Sequence, residues 1–221
     1  MNIEFFLSTL NEMFPNAKAE LDYTNPFELL IAVVLSAQTT DKAVNKVTKT
    51  LFEAYQTPEA LSKATQEDVE SHIKTIGLYR NKAKNIIELA RILYESYDSQ
   101  VPNKRADLES LPGVGRKTAN VVLSNAFDIP ALAVDTHVAR ISVRLGLAKK
   151  TDNVLQIEQK LNRKIPRSSW LKVHHQMIFF GRYHCLAKNP KCDGCPFFKD
   201  CKYEFNTPIK KSPTSIGGGM N

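Results

Sequence analysis

Cys185, Cys192, Cys195 and Cys201 are the only cysteines of this 221-residue chain, and their spacing is C-x6-C-x2-C-x5-C. Four thiolates in one short stretch can surround a single metal centre with no sulfur left over. Thiolate-only ligation suits either zinc or an iron–sulfur cluster, and the spacing alone does not choose between them. Two disulfides, or four incidental buried thiols, are the competing readings. Disulfide frameworks belong mostly to small secreted domains, whereas this chain is long and opens without a signal peptide.

Leu111-Pro-Gly-Val-Gly-Arg-Lys117 is the second chemical feature. A short helix ending at Leu111, a sharp turn through Pro112–Gly115 and a new helix from Arg116 are expected. Gly113 and Gly115 are expected to permit positive φ and to let a ligand approach the backbone around Val114. Free N–H groups at the start of the new helix then form a phosphate site, with Arg116 and Lys117 beside it. The positive end of that helix disfavours a cation at Lys117 by about 0.3–1 kcal/mol. A neutral, nucleophilic amine near pH 7 needs roughly 4 kcal/mol, so desolvation beneath a substrate would have to supply the rest. On its position alone, Lys117 reads as a solvated phosphate contact. Asp135, in Val134-Asp-Thr-His137, follows eighteen residues later. It is either a helix cap or a carboxylate facing developing positive charge. His137 and the pair His174-His175 read as packing and hydrogen-bonding residues.

Helical periodicity supplies the frame for these groups. Ile3, Phe6, Leu7 and Leu10 share one helix face. Asn25-Pro26 caps and starts the buried Phe27–Leu35 helix, and Thr57-Pro58 repeats that device. Thr65 and Asp68 have capping-box spacing ahead of Val69, Ile73 and Ile76, with Gly77 as the stop. Helical stripes continue through Ala83–Tyr94, Ala119–Ala126, Val138–Leu145 and Trp170–Phe180. No convincing alternating strand appears, so the fold class is all-α. Pro130 is the expected domain boundary, and Lys210–Asn221 reads as a disordered tail.

Composition narrows the partners. The formal charge is +7, yet residues 1–30 hold five acids and one base, so the remainder is more basic than the total suggests. That balance favours a polyanion. Hydrophobic content is 43%, and no apolar run approaches the ~20 residues of a membrane span. A cytoplasmic protein without a membrane partner is expected.

The hairpin, the aspartate eighteen residues after Lys117 and the four cysteines, in that order, resemble the helix–hairpin–helix DNA glycosylase superfamily in its iron–sulfur branch, the endonuclease III family. The likeness runs from Asn25 to Cys201 and includes Leu35-Ser-Ala-Gln-Thr-Thr-Asp41 and Gly77-Leu-Tyr-Arg-Asn-Lys82. It implies two helical domains with a DNA-binding cleft between them. Residues 22–130 would form a six-helix barrel, residues 1–21 and 131–208 a discontinuous iron–sulfur domain, and 209–221 a tail. It also implies a [4Fe–4S] cluster on Cys185, Cys192, Cys195 and Cys201. Lys117 becomes the nucleophile and Asp135 its partner. Gln38 would fill the gap left by an extruded nucleotide, and Leu78 would wedge into the opposite strand. Gly113, Val114, Gly115, Arg116, Lys188 and Lys191 would hold phosphates. The activity implied is a monomeric DNA glycosylase and abasic-site lyase that removes oxidised pyrimidines from damaged double-stranded DNA. The adenine glycosylase relative lacks a lysine at this position and carries a further C-terminal domain. A non-catalytic, damage-binding iron–sulfur module is the rival of another class.

Overall fold

The computed structural model describes residues 1–203, and its regular structure is helical, with no strand among those residues. The expected tail at 209–221 lies outside the described residues. Eleven α-helices occur in this span: α1 (Ile3–Met13), α2 (Pro26–Leu35), α3 (Asp41–Ala54), α4 (Pro58–Ser62), α5 (Gln66–Ile73), α6 (Tyr79–Ser96), α7 (Arg105–Glu109), α8 (Arg116–Ala126), α9 (Thr136–Arg144), α10 (Val154–Lys164) and α11 (Trp170–Tyr183).

Side-chain caps set most of the starts. Asn25 Oδ1 accepts from the Glu28 amide at 3.0 Å ahead of Pro26. Thr40, Thr57 and Thr65 do the same for α3, α4 and α5, each such cap contributing about 1 kcal/mol. Thr65 makes only half of the expected capping box. The Asp68 carboxylate, which would complete it, accepts the Tyr55 hydroxyl instead. A complete box stands at Asn153 and Gln156, opening α10.

Buried apolar side chains fall into two cores. One gathers residues from Phe27 to Ala131 around α2, whose residues from Leu29 to Leu35 are all buried. A helix that is apolar all round can only be interior, and α3, α6 and α8 pack against it. The second core unites Phe6 and Leu10 of α1 with residues from Leu132 to Phe197, on α9, α10, α11 and the loop beyond. The break between them falls at Ala131–Leu132.

Polar ties join the two. Arg116 of α8 forms a two-pronged pair with Glu158 of α10, both contacts at 2.8 Å. Arg182 of α11 holds Asp41 of α3 at 2.9 Å and also pairs with Glu20 on the segment after α1. Asn120 Nδ2 donates to the Leu132 carbonyl at 3.1 Å. A guanidinium–carboxylate pair fixes orientation as well as distance, so the groove between the cores has a defined width.

His174 and His175, on α11, face the same seam. His174 donates from Nδ1 to the Ala133 carbonyl at 2.9 Å, and His175 bonds Asn125 of α8 at 3.0 Å through Nε2. Burial pushes both imidazoles well below the ordinary value, His175 to about 4. Unfolded, a histidine takes up a proton near 6.5. Between those values the unfolded chain binds more protons, so stability falls as pH drops. His175 alone should cost about 2 kcal/mol by pH 5. Urea unfolding at pH 7.5 and pH 5 should therefore show a smaller loss for His175→Gln than for the wild type. Equal losses would mean that His175 is not kept neutral by the fold.

Candidate active site and cysteine cluster

Lys117 and Asp135 reach one place from different elements. Gly113 has φ of +76°, and a Cβ there would meet Val34 at 3.1 Å and Asn85 at 3.2 Å, so glycine is required. Gly115 does not use its conformational freedom: its φ is −101° in extended backbone, and a Cβ on it would meet open space. Gly115 caps α8 without any side-chain hydrogen bond, and the first backbone bond of the helix runs from Ala119 N–H to Gly115 O at 2.9 Å. The amides ahead of Ala119 thus form an open helix end.

Two of the expected phosphate contacts already have partners within the protein. Val114 is buried in the first core, and its amide already donates to the Leu111 carbonyl at 3.1 Å. The Arg116 guanidinium is committed to Glu158, so what Arg116 offers an incoming phosphate is its backbone N–H. Lys117 is exposed on the next step of the turn.

Asp135 is the N-cap of α9, with Oδ1 accepting from the Val138 amide at 2.8 Å. The cap uses one carboxylate oxygen and leaves the other. A cavity of about 80 Å³ is lined by both Lys117 and Asp135, together with Val33, Ser36, His174 and Arg182. Nucleophile and carboxylate candidates therefore face one recess at the seam between the cores. Beside it lies a broad groove of about 840 Å³ lined by Gln38, Asp41, His137 and Tyr183, and Arg182 borders both. Burial lowers the His137 pKa, and Arg140 Nη2 lies 3.1 Å from its Nδ1.

Gln38, which lines the groove, and Leu78 both sit in strained backbone. Gln38 has φ of 55° and Leu78 φ of 58°. A left-handed conformation costs a non-glycine residue of order 1–3 kcal/mol. Leu78 is also 58% exposed, the largest value among the bulky apolar side chains of the described residues. Each is the tip of a tight turn, Gln38 between α2 and α3 and Leu78 at the start of α6. Lys188 and Lys191 are exposed on the loop after α11, apart from the recess.

The four cysteines are all free thiols. They line one cavity with Arg144, Phe180, His184 and Tyr203. No three His, Cys, Asp or Glu side chains among the described residues converge as a single-ion site. Zinc would need four sulfurs at about 2.3 Å from one point, whereas a four-iron cluster takes one thiolate per iron at wider separation. Four thiolates lining one cavity are a donor set that either group can use. Burial, and then the neighbouring cysteines, push the Cys192 thiol up, and burial does the same at Cys195. Ionised together, these thiolates call for a cationic group between them. Arg144 Nη1 donates to Cys185 Sγ at 3.1 Å and to the Leu186 carbonyl at 2.7 Å, tying the loop to α9. Phe197 pins the other end, fully buried with its ring 5.3 Å from Phe180 and 5.8 Å from Phe6.

Sequence reasoning passed over Arg144, Arg182 and Thr39. Their roles depend on partners 40 or more residues away, which no local pattern displays.

Comparison with known proteins agrees with this geometry. Residues 31–167 match the model of the HhH-GPD superfamily base excision DNA repair proteins. The chain is 54% identical to endonuclease III of Bacillus subtilis over 200 residues, 90% of this chain and 91% of that protein. It is 48% identical to endonuclease III of Escherichia coli over 203 residues, 92% of this chain and 96% of that one. Among solved structures, a trapped endonuclease III–DNA covalent intermediate superposes with a TM-score of 0.88 at 55% identity, covering 90% of this chain and 94% of that one. A thermostable thymine-DNA glycosylase follows at 0.82 and 26% identity, with 90% and 95% covered. The chain belongs to the HhH-GPD superfamily and, within it, to the endonuclease III family of base-excision glycosylase/lyases.

Proposed function

We propose that this glycosylase/lyase removes oxidised pyrimidines from duplex DNA, with Lys117 as nucleophile and Asp135 as its carboxylate partner. The observation that carries the reading is the shared recess: a lysine on the open end of α8 and a capping aspartate of α9 line one cavity at the seam. The two cores would be two domains, residues 22–130 and residues 1–21 with 131–208, gripping DNA between them.

A base inside a duplex is out of reach, so the nucleotide must be extruded and its lost stacking offset. Leu78 and Gln38 suit that task as an apolar wedge and a polar plug on rigid turn tips. The Lys117 amine, once neutral, attacks C1′ as the C1′–N bond breaks and the base departs with the bonding pair. Loss of a proton from nitrogen and opening of the sugar give an imine. That imine acidifies the C2′ proton, whose removal expels the 3′ phosphate by β-elimination. Asp135 stabilises cationic character at the sugar and assists proton transfers. The open amides at the start of α8, with Lys188 and Lys191, would hold phosphates and keep the duplex in register.

The four cysteines would hold a [4Fe–4S] cluster, which when bound supplies cross-linking of the loop that carries Lys188 and Lys191. No reaction step needs it. Purified protein should be brown and contain about four irons per chain; colourless, fully active protein with one zinc would refute the cluster.

The activity is tested on three duplexes, carrying thymine glycol, an abasic site, or adenine opposite oxidised guanine. Base release followed by nicking of the first, and nicking of the second, are expected. Release of adenine from the third, with the first untouched, would contradict the proposal.

A further inference from the structure

Lys82 is a lysine placed where its charge is costly. It is 5% exposed, in the first turn of α6, and its own amide makes the opening bond of that helix to the Leu78 carbonyl at 3.0 Å. The positive end of a helix disfavours a cation there, and burial lowers its pKa. Among the described residues no carboxylate forms an ion pair with it. Its ammonium instead donates to Thr39 Oγ1 at 2.8 Å, across 43 residues of sequence.

Thr39 passes the contact on. Its hydroxyl lies 3.4 Å from the Ala37 carbonyl, and its amide donates to Ser36 O at 3.0 Å. Ala37 and Thr39 flank Gln38. One end of Lys82 thus fixes the residue at the tip of one turn, Leu78, and the other end braces both neighbours of Gln38. Those two tips are strained, left-handed residues. An unpaired buried ammonium gives up several kcal/mol of hydration, and a methionine would fill the same space without that cost. The directional N–H donor is what methionine lacks.

We propose that Lys82 is a positioning residue, a strut that sets Gln38 relative to Leu78 so that the two side chains enter the duplex as one unit. The strut rests on the reading of Gln38 and Leu78 as DNA-inserting residues, and its test separates the two ideas. Extrusion is followed by stopped-flow fluorescence of 2-aminopurine placed beside thymine glycol in a fully paired duplex. Lys82→Met and Thr39→Val should each slow extrusion roughly tenfold. The double variant should be no slower than either single one, because both remove the same contact. Thr39→Ser, which keeps the acceptor, should behave as wild type. Cleavage of an abasic site in a single-stranded oligonucleotide needs no extrusion and should stay within about twofold in every variant.

Normal extrusion by Lys82→Met, while Gln38→Ala and Leu78→Ala are slow, would overturn the strut alone. Normal extrusion by Gln38→Ala and Leu78→Ala would overturn the insertion reading and the strut with it. Equal slowing of single-stranded cleavage would reduce Lys82 to a general stabiliser of the fold, and additive effects of the two substitutions would break the proposed link.

Discussion

Replacing Lys117 by alanine is expected to leave a folded protein that binds damaged duplex yet neither releases the base nor nicks the strand. The substitution removes an exposed side chain from the first turn of α8. It leaves untouched the Gly113 turn, the Arg116–Glu158 pair and the Asn120–Leu132 bond that hold that helix. Stability should therefore change by less than about 0.5 kcal/mol. Both activities share one amine, so both should fall together, by on the order of 10,000-fold or more. A gel assay under single-turnover conditions, with a binding titration beside it, reads the two quantities separately. Base release that survived while nicking was lost would assign the glycosylase step to water and leave Lys117 only the lyase.

Asp135 presents a sharper case, because it has two roles in one side chain. Its Oδ1 caps α9 through the Val138 amide, and asparagine caps a helix about as well as aspartate. Asp135→Asn should therefore keep the start of α9 and lose only the charge facing the recess. Base release should slow by on the order of 100- to 10,000-fold, while affinity for an uncleavable damaged duplex stays within a few-fold, as expected of a group that matters most in the transition state. Asp135→Ala should lose the same rate and also about 1 kcal/mol of stability with the cap. If Asp135→Asn weakened binding as much as it slowed release, the carboxylate would be acting on the ground state.

Much of this was legible in the sequence where the physics is local. Asn25-Pro26, Thr57-Pro58 and the Val138 stripe name their own helices, because caps and one-sided apolar spacing act within two turns. Neither α3 nor α10 announced itself so clearly. In α3 the apolar face is Val44, Val47 and Leu51, with the polar but buried Thr48 in the fourth slot. In α10, Val154 and Leu155 stand 52% and 42% exposed and blur the stripe. The two turn glycines look alike in sequence, but only the Gly113 environment demands a positive φ. Arg116 stands beside Lys117 in a Gly-rich turn, where a basic side chain reads as a phosphate contact. Its Glu158 partner, 42 residues away, is visible only once α8 and α10 meet. The cysteines form one group in sequence and in structure, since their spacing alone confines them to one loop. Resemblance, rather than spacing, singled out Gln38 and Leu78. Their left-handed backbone and, for Leu78, its exposure add a physical reason to look at them.

The claim on which the rest depends is a covalent bond between the Lys117 amine and the sugar of the damaged nucleotide. Borohydride reduction during turnover on thymine glycol duplex fixes any imine as a stable amine, and proteolysis with mass spectrometry locates the modified residue. The adduct should sit on the peptide containing Lys117 and on no other lysine or the N-terminal amine. Reduced adduct at Met1 or at Lys188, or turnover with no adduct at all, would contradict it.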